Sequence, residues 1–174
     1  LFMARAAVIA AAYVVLTFPM AQIAFGPVQF RLAEALTVLA ALMPAAIPGL
    51  FVGCLLANLT NPASLGPVDI IGGSLATFLA AWLTWRLQHA LRRKLPDEAK
   101  TIPADRLSRF CRSKDGICRL LVISPSVIVN AVVVGFYLPW LIPELAVSVT
   151  VIALTMLSIL ISQIVVVYLI GLPL

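Results

Sequence analysis

Charged and chemically reactive residues are scarce in this sequence. Asp, Glu, Lys and Arg together make up 11% of the 174 residues, histidine occurs once and cysteine three times. The cysteines, Cys54, Cys111 and Cys118, have neither the spacing of a metal site nor the number that a disulfide framework needs, and we expect reduced thiols. No glycine-rich phosphate loop is followed by Lys and Ser or Thr, and no Ser/His pair or metal cluster suggests a hydrolase. The sequence therefore predicts no enzyme, no metal and no cofactor.

Apolar residues dominate instead. They make up 63% of the chain, and the mean hydropathy is +1.11. A soluble domain is about half apolar and about a quarter charged, so this composition predicts an integral membrane protein. The length favours one membrane domain over residues 1–174. The start of the chain has the composition of a signal peptide, but it leads directly into further membrane-like sequence, and we expect it to be the first transmembrane helix.

Six apolar segments can be placed along the chain. Leu32–Leu59 would be about 42 Å long as one helix, which is too long to cross a bilayer without strong tilt. Pro44 and Pro48 lie at its centre, so we expect two short, proline-interrupted helices there. The four remaining segments are Ala4–Ile23, Val68–Leu87, Arg119–Leu138 and Leu145–Leu169. The predicted fold is an all-α membrane protein, a bundle of six transmembrane helices.

Ten of the twelve Lys and Arg residues lie between Arg86 and Arg119. Positively charged loops remain on the cytoplasmic side of a membrane. With six helices, the basic loop 88–118 and both termini are then cytoplasmic. This placement favours a topology signal, with contact to anionic lipid as a secondary possibility, over nucleic-acid binding.

A few polar residues interrupt the apolar segments on the predicted outer side or at mid-depth. Glu34, Asn58, Asp69 and Asn130 are costly in lipid unless they face a cavity or a partner, which favours a polar ligand pocket open to the outside. The alternative is an interfacial salt bridge between Arg31 and Glu34, with Asp69 capping the fourth helix. We favour the pocket for Glu34 and Asn130, which are the deepest.

Small residues recur four apart in the first helix. Ala6 pairs with Ala10, and Ala7 pairs with Ala11, which makes a flat stripe that another helix can approach closely. The stripe suits either internal packing or a partner subunit.

The run FGPVQFRLAEALTVLAALMPAAIPGLFVGCLLANL resembles the QueT family, and DIIGGSLATFLAAWLT, VNAVVVG and YLIGLPL follow in the family's order. These proteins are the substrate-binding membrane subunits, or S components, of energy-coupling factor (ECF) transporters. The resemblance implies a high-affinity pocket near the outer face of the bacterial plasma membrane. It also implies two kinds of partner: a scaffold membrane subunit, docked on the alanine stripe, and two cytoplasmic ATPases.

The substrates that the resemblance implies are queuosine precursors, which are 7-deazaguanine bases. A guanine-like edge offers two adjacent donors to one carboxylate, for which Glu34 is the first choice and Asp69 the second. The ring oxygen needs a donor, for which Asn130 is the first candidate and Asn58 the second. The flat ring needs an aromatic face from Phe30, Tyr137 or Trp140.

Two alternatives stay open at this point. One is a self-sufficient secondary transporter or channel, although no internal repeat supports it. The other is a structural subunit whose polar residues pair with one another.

Overall fold

The computed structural model describes residues 1–20, 30–61, 65–93, 116–142, 147–171 and 173. Within these residues the chain is helical and contains no strand. Helix α1 is Phe2–Thr17, followed by a 3₁₀ turn at Phe18–Met20. Helix α2 combines a 3₁₀ stretch, Leu32–Val38, with a short α-helical end, Leu39–Leu42. The others are α3 (Ala46–Thr60), α4 (Pro67–Arg93), α5 (Gly116–Leu141) and α6 (Val149–Gln163), which continues as a π-helix over Ile164–Gly171.

These six helical segments fit the predicted count. Among the described residues, three stretches are long and apolar enough to cross a membrane: Pro67–Leu91, Leu120–Leu141 and Val149–Gly171, with 25, 22 and 23 residues. Three shorter apolar helices, Phe2–Thr17, Leu32–Leu42 and Ala46–Thr60, accompany them. Helix α4 extends to Arg93 and α5 begins at Gly116, so both helices reach into the predicted loop 88–118. Residues 94–115 of that loop lie outside the described part of the chain.

The chain breaks between α2 and α3 at the prolines. Met43 is extended, with φ −145° and ψ 133°, which is the conformation that a residue before proline prefers. Pro44 then lies in the turn, and α3 begins at Ala46. Pro48 is in the first turn of α3, where its missing backbone N–H has no helical partner to lose.

Helix α1 packs closely against α3 through small residues. Ala6 and Ala10 are buried, and they face two glycines of α3. A Cβ atom at Gly49 would lie 2.7 Å from the Ala6 carbonyl oxygen, and one at Gly53 would lie 3.0 Å from the Ala10 Cα. Only glycine lets the two backbones approach this closely.

Helix α2 lies in the interior of the bundle. Ala33, Ala35, Thr37 and Ala40 are all buried, and apolar clusters surround the helix on the α1/α3 side and on the α5/α6 side. On the latter side the π-helix comes close, since a Cβ at Gly171 would lie 2.9 Å from the Ala35 carbonyl oxygen. This packing fixes the side chains of α2 at the centre of the molecule, where polar groups from other helices meet them.

Candidate functional site

Glu34 is the centre of a buried hydrogen-bond network. It lies in the first turn of α2, and its side chain is 1% exposed. One carboxylate oxygen, Oε1, accepts hydrogen bonds from the Tyr13 hydroxyl at 2.7 Å and the Thr77 hydroxyl at 2.9 Å. The other, Oε2, accepts from the Asn130 side-chain amide at 3.0 Å. Helices α1, α4 and α5 therefore each donate to one carboxylate of α2.

A second chain of hydrogen bonds supports the backbone of Glu34. The Thr37 hydroxyl donates to the Glu34 carbonyl oxygen at 2.7 Å, and the Ser126 hydroxyl donates to the Thr37 hydroxyl at 2.6 Å. All three residues are buried. Buried polar groups of this kind hold a unique geometry when each one is paired, so α5 and α2 are fixed relative to one another beside the carboxylate.

Asp69 is the centre of a second network, at the start of α4. Its Oδ1 accepts hydrogen bonds from the Arg31 guanidinium at 3.2 Å and from the Tyr137 hydroxyl at 2.9 Å. The Asn58 side-chain amide donates to the Asp69 backbone oxygen at 3.4 Å. Asp69 is fully buried, and its Oδ2 has no hydrogen-bond partner among the described residues.

The two networks meet at Cys54 of α3. Its sulfur accepts from the Thr77 hydroxyl at 3.6 Å, on the Glu34 side, and from the Asn58 amide at 3.7 Å, on the Asp69 side. Gly73 faces the same region, since a Cβ there would lie 3.1 Å from the Arg31 Nη1 and 3.3 Å from the Asn58 Nδ2. We call the two networks together the polar core. Its members are Tyr13, Arg31, Glu34, Thr37, Cys54, Asn58, Asp69, Thr77, Ser126, Asn130 and Tyr137.

Five of the seven residues predicted to bind a ligand come together in the polar core: Glu34, Asn58, Asp69, Asn130 and Tyr137. The other two are aromatic. Phe30 is half-buried beside Arg31 in the sequence. Trp140 is 65% exposed and lies on the outer surface of α5, so it contributes no side chain to the polar core in this arrangement. The ligand-binding role of all seven stays a prediction.

The predicted alternative for Arg31 is wrong. An interfacial salt bridge from Arg31 to Glu34 was expected from their spacing, but Arg31 is 5% exposed and its ion pair is with Asp69, 38 positions away. Arg31 precedes the 3₁₀ stretch of α2 and is extended, with φ −96° and ψ 92°, so its side chain does not follow the spacing of the helix. Its guanidinium instead meets the carboxylate of Asp69 at the N-terminal end of α4.

Sequence reasoning also missed several donors of the polar core: Tyr13, Thr37, Thr77 and Ser126. A signal for two of them was present. Asp69, Gly73 and Thr77 are four apart along α4, and Ser126 precedes Asn130 by four in α5, so each set shares a helix face. Polar residues that repeat at this spacing in an apolar helix indicate one buried polar surface.

Half of the predicted docking stripe faces inward. Ala6 and Ala10 are buried against Gly49 and Gly53, so their side chains serve the chain's own packing. Ala7 and Ala11 are exposed, and the docking prediction rests on these two residues.

The polar core suits a ligand that offers several hydrogen-bond donors. Two carboxylates supply acceptors, while Arg31, Asn58 and Asn130 supply donors for an acceptor on the ligand. Among the residues that the structure describes, no group of three His, Cys, Asp or Glu side chains is arranged to hold a metal ion.

Comparison with known proteins adds one finding to this geometry. The model of the QueT transporter family matches residues 3–174. The chain belongs to the QueT transporter family. QueT proteins are the S components of ECF transporters, which agrees with the sequence resemblance. No curated protein and no solved structure matches the chain. Its described residues include three helices that are long and apolar enough to cross a membrane, and this QueT member is a multi-pass membrane protein of a transport system.

Proposed function

We propose that this protein is the substrate-capture subunit of an ECF-type importer in the bacterial plasma membrane. It binds a queuosine precursor of the 7-deazaguanine type from the outside and catalyses no reaction itself. Membership of the QueT family supports the role of a transporter S component. The observation that carries the proposal is the burial of Glu34 among donors from three other helices.

The chemistry of a guanine-like base fits these groups. Its ring N–H and amino group are adjacent donors, and a carboxylate accepts both at once. Glu34 is the first candidate for this contact. The neighbouring ring oxygen needs a donor, which Asn130 supplies, because its amide lies 3.0 Å from Glu34. Tyr137 and Phe30 are the candidates for an aromatic face against the flat ring.

Binding proceeds by exchange of donors in this proposal. Tyr13, Thr77 and Asn130 donate to Glu34, and the ligand's donor edge takes the place of one or two of them. A released hydroxyl or amide then turns to an acceptor on the ligand. Because a buried carboxylate without donors is costly, the exchange favours only ligands that replace every lost hydrogen bond.

Transport requires partners in this proposal. A scaffold membrane subunit docks on α1, where Ala7 and Ala11 are exposed, and two ATPases drive reorientation of the bundle. Co-expression with a scaffold and an ATPase pair should recover all four chains together. Ala7→Leu with Ala11→Leu should reduce that recovery without unfolding the protein.

Mass spectrometry of small molecules released from the purified protein tests the substrate class. The expected result is a deazapurine that is present in the wild type and lost in Glu34→Gln. Uptake of a solute by the protein alone in liposomes, driven by an ion gradient, would instead support the self-sufficient transporter.

A further inference from the structure

The exposed face of α4 changes character along its length. Leu75, Leu79 and Trp82 are exposed, and so are Arg86 and His89 further along the helix. Successive intervals of four, three, four and three positions place these five residues in one row on the helix surface. We call this row the α4 stripe. It runs from aliphatic through aromatic to basic side chains.

The basic end of the α4 stripe lies at the boundary of the bilayer. The apolar span Pro67–Leu91 has 25 residues, and the hydrocarbon of a bilayer is about 30 Å thick. With Pro67 at the outer boundary, Trp82 lies about 22 Å further along α4 and Arg86 about 28 Å. Tryptophan is enriched at membrane interfaces, and the basic loop that follows puts this end on the predicted cytoplasmic side. The basic side chains are therefore level with lipid headgroups.

Two tryptophan rings position these basic side chains. The Arg86 Cζ lies 5.1 Å from the centroid of the Trp82 ring, within the range of a cation–π contact. The Trp85 and His89 ring centroids are 4.4 Å apart, and the His89 Nδ1 lies 3.3 Å from the Trp85 carbonyl oxygen. Each basic side chain thus rests on an aromatic ring one turn before it. This order reduces the conformational entropy that the side chain loses when it binds a ligand.

No described carboxylate is within reach of Arg86. Among the residues that the structure describes, the acidic ones are Glu34 and Asp69, and both are buried in the polar core. Asp69 lies about 25 Å from Arg86 along α4. Residues 70–96 contain no Asp or Glu, and three further basic residues follow at 92–94. The α4 stripe therefore ends in a guanidinium whose charge is not neutralised there, and its fork of donors matches the oxygens of a phosphate.

We propose that the α4 stripe binds an anionic phospholipid of the predicted cytoplasmic leaflet. Arg86 donates to the phosphate oxygens, and His89 adds a donor at Nε2 when it is protonated. The acyl chain lies along Leu79 and Leu75, with the Trp82 ring beside the glycerol. A zwitterionic lipid has the same phosphate, but its ammonium group meets the same basic residues, so the site prefers a lipid with net negative charge. This proposal goes beyond the proposed function and does not depend on the substrate.

Fluorescence quenching by brominated lipids tests the proposal, because bromine on an acyl chain quenches a tryptophan that it contacts. The three tryptophans are Trp82, Trp85 and Trp140, and Trp140→Phe leaves the two at the α4 stripe as reporters. The full chain is placed in phosphatidylcholine nanodiscs with a minor fraction of brominated phosphatidylglycerol or brominated phosphatidylcholine. We expect half-maximal quenching at an about fivefold lower mole fraction of the anionic lipid, equal to about 1 kcal/mol at 1.4 kcal/mol per tenfold.

Three variants on this background locate the site. Arg86→Gln should reduce the preference for the anionic lipid to less than about twofold. Arg5→Gln removes the same charge from another exposed arginine, near the start of α1, and should leave the preference unchanged. Trp82→Leu keeps the charge and removes the ring, with Trp85 as the remaining reporter, and should also reduce the preference. Thermal unfolding of each sample checks that the exposed substitutions leave the fold intact.

Three results would overturn the proposal. The first is equal quenching by the two lipids in the Trp140→Phe protein. The second is an equal loss of preference in Arg86→Gln and Arg5→Gln, which would show a general attraction between a basic chain and an anionic surface. The third is an unchanged lipid preference in Arg86→Gln together with loss of co-purifying scaffold or ATPase chains, which would assign the α4 stripe to a protein partner. None of these results bears on the substrate of the polar core.

Discussion

Replacing Glu34 with glutamine is the most direct test of the polar core. The Glu34 side chain accepts three hydrogen bonds, at 2.7, 2.9 and 3.0 Å. In the glutamine variant the amide oxygen still accepts from Tyr13 and Thr77, and the amide nitrogen donates to Asn130 once that side chain turns its oxygen inward. The fold should therefore tolerate the change with little loss of stability, whereas Glu34→Ala would leave all three donors unpaired and a cavity beside them.

Ligand binding should respond differently, because the proposed contact between Glu34 and a guanine-like edge requires the charge. Removing one partner of a buried, charge-assisted contact costs about 2–5 kcal/mol. At 1.4 kcal/mol per tenfold, the dissociation constant of a 7-deazaguanine base should rise by about 30-fold to several thousand-fold. Titration calorimetry in nanodiscs measures this change, and thermal unfolding of the same sample confirms that the variant is folded. Glu98→Gln, the same substitution in the predicted basic loop, is the matched control.

The result that would refute this reasoning is specific. If folded Glu34→Gln binds the ligand as tightly as the wild type does, Glu34 does not contact the substrate. The hydrogen bonds from Tyr13, Thr77 and Asn130 would then serve the packing of the bundle alone.

Three further predictions concern other contacts of the same helices. Gly53→Ala should lower the melting temperature, because the added Cβ would lie 2.7 Å from the Tyr13 Cβ. Overpacking of this kind costs about 1–3 kcal/mol. The control, Ala11→Val on the exposed face of α1, should change the melting temperature little. Tyr137→Phe removes the donor at 2.9 Å from Asp69 and should weaken ligand binding by about tenfold. An unchanged affinity would show that the Tyr137 hydroxyl does not contribute to the site. In a variant with Cys111→Ser and Cys118→Ser, bound ligand should slow the reaction of the buried Cys54 thiol with a methanethiosulfonate reagent. Equal reaction rates with and without ligand would contradict a site at Cys54.

The sequence supported the helical class, the count of six segments and the convergence of Glu34 with Asn130. These predictions depend on composition and on the cost of a polar group in lipid, both of which can be read locally. The partner of Arg31 could not be read in this way. Its ion pair with Asp69 spans 38 positions and depends on how α4 is rotated against α2, which the spacing within either helix does not determine.

The alanine stripe shows a similar limit. Two overlapping small-residue pairs lie on α1, and local sequence does not say which pair faces inward. Which pair faces inward depends on α3. Gly49 and Gly53 have the same spacing of four as Ala6 and Ala10, and they let the α1 backbone approach closely at these two alanines. Matching one small-residue pair against another at equal spacing is thus a better guide to internal packing than either pair alone.

The position of Tyr13 links the polar core to the exposed face of α1. Its hydroxyl donates to Glu34, and its Cβ lies against the position of Gly53, so α1 is held to α2 by a hydrogen bond and to α3 by close backbone packing. A ligand that replaces the Tyr13 hydroxyl at Glu34 removes the first restraint and leaves the second. Ala7 and Ala11, which lie earlier on the same helix, are exposed. A ligand can shift a helix between two positions only if its contacts differ between those positions. In the proposed function, α1 is therefore the element through which substrate at Glu34 would change the surface offered to a scaffold subunit.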